Sequence, residues 1–212
     1  MLSQIRNFFI PQGHFRMARR SPLPKCNVRL LLEADIEKCE EIYRLNEATH
    51  FPPGYFPKFS AWLRNREALV IVVEQDNVVR GFGGINAEVQ NGHHCAALTF
   101  GMVHPQHQQQ GFGTTLLAAR LALLHKAACS SFVFLTTTGG SENFYGRFGF
   151  KFVHALQASP HYLQKHYLVK VSAKDKARCV ATLHSLSVQS GVFEAGLPSF
   201  ASFNLSPGTT DA

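Results

Sequence analysis

The sequence has 212 residues, 45% of them apolar and 17% charged, enough to close one sizeable core and short for two. No apolar run approaches the roughly 18 residues that span a bilayer, so no membrane partner is expected and the location is read as cytoplasmic. Five cysteines, Cys26, Cys39, Cys95, Cys129 and Cys179, are scattered without a C-x-x-C pair; reduced thiols fit better than a disulfide framework or a zinc ribbon. The net charge of +7 is concentrated near the start: residues 1–32 carry Arg6, Arg16, Arg19, Arg20, Lys25 and Arg29 and no acid. The remaining 15 Lys and Arg nearly balance 14 acids, so the charge marks a basic arm and a nucleic-acid partner is not expected.

Residues 1–25 mix Arg, Phe, Pro, Gly and Ser without helical or strand period and read as a flexible arm. A start at Met17 or an organellar leader is compatible with the same composition. A short strand is predicted over 28–32, then an amphipathic helix from Asp35, with Ile36, Cys39, Ile42, Tyr43 and Leu45 near the helical period and acids in its first turn. Phe51-Pro52-Pro53-Gly54 breaks the chain before a second helix over 57–66. Strands follow over 69–74, 79–89 and 95–103, the last two joined by the hairpin signal Asn91-Gly92. These make three adjoining antiparallel strands. A helix from Phe112 to about Cys129 shows Phe112, Leu116, Leu117, Leu121 and Leu124 on one face, with Ala118, Ala119 and Ala122 small enough for close packing on a sheet. A strand over 132–136, a short helix over 142–148 closed by Gly149, and strands over 150–154 and 167–171 follow. Residues 172–212 read as a tail of uncertain order.

The chemistry centres on Val103-His104-Pro105-Gln106-His107-Gln108-Gln109-Gln110-Gly111-Phe112-Gly113-Thr114. An apolar strand ends, proline turns the chain, and glycines open a helix. Free N–H groups at a helix N-terminus attract an anion, and Gly111 and Gly113 lack side chains that would block a phosphate. Gln108, Gln109 and Gln110 can add amide donors. No third glycine follows as in a dinucleotide fingerprint, and no Gly-Lys-Ser/Thr as in a Walker loop.

With Gln108-x-x-Gly111-x-Gly113 behind Val103-x-Pro105, and Phe144-Tyr145-x-x-x-Gly149-Phe150 downstream, the chain resembles the GNAT superfamily of acyl-CoA-dependent N-acyltransferases over roughly 28–171. The resemblance implies a single α/β domain over 26–171, with a mixed, mostly antiparallel central sheet flanked by helices. It implies acetyl-CoA as co-substrate: Gly101, Met102 and Val103 would align pantetheine, and Gln109, Gln110, Gly111, Phe112, Gly113 and Thr114 would cradle the pyrophosphate. Tyr145 stands where the superfamily often has a general acid, and a phenol keeps its proton at neutral pH until charge builds on a leaving group. Asn143 is a further candidate cofactor contact, because the position seven residues before Tyr145 is Thr138 and not the frequent Asn.

Residues 96–102 hold no carboxylate that could serve as base. Glu88, on the preceding strand, is the available one, and a surface position is its competing reading. His93, His94 and Cys95 are adjacent and cannot readily converge on one ion, so no metal is expected. Arg147 and Lys151 read as solvated surface charges. Phe51, Tyr55, Phe56 and Phe59 either pack on the sheet or face an apolar acceptor entering over 51–59 and 83–94. The function expected is acetyl transfer from acetyl-CoA to an unidentified amine by direct attack in a ternary complex. The alternative is an acyl-CoA-binding regulatory module, and a homodimer is compatible with either.

Overall fold

The structure, a computed structural model, describes residues 13–17, 23–90, 93–124, 132–137, 140–159 and 162–184; the side chains of 87–90, 93, 94, 158, 159 and 184 are outside that description. Among these residues the strands are β1 (Asn27–Leu30), β2 (Leu69–Gln75), β3 (Val78–Gln90), β4 (His93–Val103), β5 (Phe132–Thr137), β6 (Lys151–Ser159) and β7 (Tyr162–Lys170). The helices are α1 (Ile36–His50), α2 (Phe56–Arg64), α3 (Phe112–Leu123), α4 (Glu142–Arg147) and α5 (Ala173–His184). The strands form one sheet in the order β1-β2-β3-β4-β5-β7-β6. Every neighbouring pair is antiparallel except β4 and β5. The expected mixed, mostly antiparallel α/β fold is therefore present, with β2, β3 and β4 as the predicted antiparallel trio.

Strand β2 is buried on both faces, which is why Val70, Ile71, Val72 and Val73 run without polar interruption. Val70 and Val72 join Ile36, Ile42, Tyr43, Phe59 and Trp62 beneath α1 and α2. Ile71 and Val73 join Leu98, Leu116, Leu121 and Val133 on the α3 side. Helix α3 is buried almost all round because α5, carrying buried Cys179 and Leu183, covers its outer surface. The tail reading of 172–212 is corrected here: its first part is a helix that completes the second core.

The flexible-arm reading of 1–25 is also corrected over its described part. Phe15 is 5% exposed and stacks on Phe148 with ring centroids 6.2 Å apart. Phe15 N–H donates to the Lys170 carbonyl at 2.9 Å, and Lys170 N–H to the Gly13 carbonyl at 2.7 Å. Gly149, at φ +90°, lies so close that an added Cβ would stand 2.0 Å from the His14 carbonyl oxygen. Glycine thus serves both as the α4 C-terminal stop and as the point where the arm crosses. Burying one phenylalanine in this way contributes about 2 kcal/mol.

Candidate functional site

Parallel pairing of β4 with β5 covers only Ala96–Leu98 against Val133–Leu135. Beyond Leu98 the strands part. Phe82 pairs with Met102 and Gly84 with Thr99, so Phe100 and Gly101 oppose Gly83 alone, and Phe100 takes a positive φ of 43°. This is a β-bulge, which bends β4 and sharpens its twist. The wedge that opens has β4 backbone on one wall and Thr136 and Thr137 on the other.

At the top of the wedge, Pro105–His107 makes one 3-10 turn, and His104 Nδ1 accepts from Gln106 N–H at 3.3 Å. Gln109 and Gly111 then adopt positive φ, 62° and 95°, which aims the chain into α3. Thr115 N–H is the first in the helix to reach a carbonyl behind it, that of Gly111 at 3.0 Å. The N–H groups of Phe112, Gly113 and Thr114 precede it and have no carbonyl one turn back. Together with the helix dipole they form an anion cradle.

The three glutamines divide their work differently from expectation. Gln108 Nε2 donates to Asn46 Oδ1 at 3.2 Å and to the Val103 carbonyl at 3.4 Å, tying the loop to α1. Gln110 Nε2 donates back to the Gln106 carbonyl at 3.0 Å. Both amides brace the loop, and of the three only Gln108 and Gln109 border the cleft below it. Phe112 points into the core at 1% exposure, so only its backbone is available to a ligand.

That cleft, about 730 Å³, is lined by Gly101, Met102, Val103, Gln108, Gln109, Gly111, Gly113, Thr114, Leu116, Arg120, Phe144, Tyr145 and Arg147, with Leu23, His50, Gly140 and Ser141 at its margins. A second cleft of about 330 Å³ continues from it between the splayed strands. The second is walled by Phe51, Tyr55, Phe100, Phe134 and Tyr162. His50, Ser141 and Tyr145 border both. Neither lining contains Asp or Glu.

The structure thus brings Tyr145 together with Gly101, Met102, Val103 and the cradle. It does not bring Asn143 there: Asn143 is exposed and borders neither cleft. Glu88 lies in β3, its backbone opposite Cys95, and its side chain is outside the description, as are those of His93 and His94; Thr138 and Cys129 are outside it altogether. Arg147 is not a solvated charge. Its guanidinium packs over Phe144 and Phe148, at 5.2 and 5.8 Å from their centroids, and borders the larger cleft. Lys151 is exposed as expected.

His50, at the end of α1, is the residue that sequence reasoning missed. The Pro-Pro-Gly break immediately after it fixes where α1 must end, but nothing local shows that this end faces Tyr145. Burial raises the Cys26 thiol to about 11, against an opposing hydrogen bond from Thr115, and the Cys179 thiol to about 12. Cys39 is pushed up for the same reason. These three thiols stay protonated and border neither cleft. Among the described residues, no cluster of three His, Cys, Asp or Glu could hold a metal, and no helix is long and apolar enough to cross a membrane.

A splayed parallel strand pair beneath a glycine-rich helix entrance is thus the centre of the site. The acetyltransferase (GNAT) family model matches residues 36–150, more than half of the chain, and the chain belongs to that family. Among solved structures, a GNAT-family protein of Desulfovibrio desulfuricans aligns with a TM-score of 0.59 at 17% identity, over 68% of this chain and 98% of its own. A ribosomal-protein-alanine N-acetyltransferase of Brucella melitensis aligns at 0.54 and 19% identity, over 66% and 97%. A GNAT acetyltransferase of the same organism in complex with acetyl-CoA aligns at 0.50 and 22%, over 66% and 86%. At these identities the likeness is one of fold. No curated protein matches the chain in sequence.

Proposed function

We propose that this chain transfers an acetyl group from acetyl-CoA to a primary amine on an apolar or aromatic carrier, by direct attack within a ternary complex. The observation that carries this reading is the continuity of the two clefts: the cradle of 109–114 opens into a space that ends at Tyr145 and His50, where the aromatic cleft begins. The residues fit the donor. Gly111 and Gly113 leave room for phosphate oxygens at unpartnered N–H groups, and the β4 backbone beyond Leu98 is free of β5.

In this reading Gly101, Met102 and Val103 align the donor arm, and a backbone N–H near Met102 polarises the thioester carbonyl as it gains charge. His50, which borders both clefts, accepts the amine proton. Tyr145 donates its hydroxyl proton to the departing sulfur. The C–N bond forms as the C–S bond breaks, with positioning supplying much of the acceleration. Phe51, Tyr55 and Tyr162 select the acceptor. The testing experiment is thiol release from acetyl-CoA with a panel of amines: turnover that falls when His50 or Tyr145 is replaced supports the reading. Tight acetyl-CoA binding without turnover for any amine would favour a regulatory module.

A further inference from the structure

Arg120 is among the largest fully buried side chains, at 2% exposure, and its Nε and Nη1 have no hydrogen-bond partner. It sits on the third turn of α3, within a helix otherwise made of Phe, Leu, Ala and Thr at its buried positions. The space for its guanidinium is made by two glycines facing each other across the bulge of β3 and β4. An added Cβ at Gly101 would stand 2.8 Å from Nη2 and 3.0 Å from Nη1; one at Gly83 would stand 3.1 Å from Nη1. The alcove opens on the larger cleft, which Arg120 lines beside Gly101, Met102 and Leu116.

A guanidinium is always charged, and an unpaired buried charge is costly enough that folded proteins nearly always pair it. No carboxylate is paired with Arg120 among the described residues, and the cleft it lines holds none. The cradle lies at the head of α3, two turns before Arg120. Eight residues of helix separate Phe112 from Arg120, about 12 Å. Nothing among the described residues supplies the counter-charge, which leaves a place for a ligand's beside Gly101.

We propose that Arg120 is the receptor for a carboxylate at the acyl end of the donor, so that beside acetyl-CoA this protein takes a dicarboxylic acyl thioester, of the succinyl or malonyl type, and binds it more tightly than an uncharged one of equal length. This rests on the transferase reading for the donor site and deepens it. The alcove favours the donor as the source of the carboxylate, because Arg120 borders the cleft below the cradle and not the aromatic cleft assigned to the amine. The carboxylate is a spectator; the bonds made and broken are those of any thioester aminolysis.

The test is calorimetric titration of the full chain with succinyl-CoA, butyryl-CoA and acetyl-CoA, without acceptor, for wild type, Arg120→Leu and Arg120→Lys. Wild type binds succinyl-CoA at least 10-fold more tightly than butyryl-CoA, as expected for a charge-assisted hydrogen bond. Arg120→Leu abolishes that preference and raises the Tm of the ligand-free protein by removing an unpaired buried charge. Arg120→Lys retains part of the preference. Equal affinities of wild type for succinyl- and butyryl-CoA overturn the proposal whether or not the variants fold, while the acetyl-CoA arm shows separately whether the donor site stands. Discrimination by Arg120 between amino acids and their decarboxylated amines, with no effect on donor binding, would move the carboxylate to the acceptor and equally refute it.

Discussion

Replacing Tyr145 with phenylalanine isolates the proposed acid from the packing around it. The ring meets Phe144 edge to face with centroids 5.0 Å apart at 83°, and Phe150 at 5.4 Å and 69°. Phenylalanine preserves both contacts, so the stability change should be about 1 kcal/mol or less, the worth of one hydroxyl. The catalytic loss should be much larger. A positioned general acid contributes about 10²-fold or more, and 100-fold corresponds to about 2.7 kcal/mol of barrier. Because the hydroxyl acts only as charge builds on sulfur, kcat should fall with KM for acetyl-CoA nearly unchanged. Thiol release under saturating donor measures both constants, and a thermal melt of the same sample controls for folding. A Tyr145→Phe protein with wild-type kcat would refute the assignment and return Tyr145 to the core as an ordinary aromatic.

Further expectations follow from particular residues. His50→Ala should lower kcat/KM by about 10²-fold and recover in part with added imidazole; a variant with wild-type kcat/KM would exclude His50 as base. Phe15→Ala should destabilise the fold by about 3 kcal/mol in denaturant melts, whereas a loose arm would give no change. Stability should fall in two stages on acidification. His166, lowered by burial and by stacked His154, and His104, lowered by burial and by Lys38, His107 and Arg80 against Glu41, have folded values below their unfolded ones. Their contribution is complete above the ordinary histidine value, about 6.5, and is lost as pH falls from there through their lower folded values. Burial alone would raise the Asp35 carboxyl, but hydrogen bonds from Arg29 and the Leu32 N–H, with the charges of Arg29 and Arg66, outweigh it and hold it below its ordinary value. Its contribution is present above about pH 4 and lost below, and Asp35→Asn should remove that second stage from a pH series of melts.

The parts legible in the sequence are those with local causes. Apolar period and breakers gave β2, β3 and β4 nearly at their bounds and the start of α3 at Phe112, just past the helix-entry Gly111. The bulge at Phe100 was not legible, because a two-to-one register is a property of the pair β3 and β4 and not of either strand. Helix α5 was missed because its mixed charged surface acquires meaning only once α3 needs a cover. Gln108 and Gln110 were assigned to the ligand, since their bracing partners, Asn46 and the Gln106 carbonyl, cannot be foreseen from the loop itself. His50 and Arg120 stand 70 residues apart, and only the fold brings both to the lining of one cleft.

The most direct test of the whole account is the response of thermal stability to acetyl-CoA in wild type and Gly111→Glu. The substitution puts a side chain with negative charge at φ 95° at the mouth of the cradle. At 100 times its dissociation constant, acetyl-CoA should stabilise wild type by about 2.7 kcal/mol and leave Gly111→Glu where it stood. An absence of any shift in wild type at millimolar acetyl-CoA, or the same shift in both proteins, would contradict the claim that residues 109–114 hold the acyl donor.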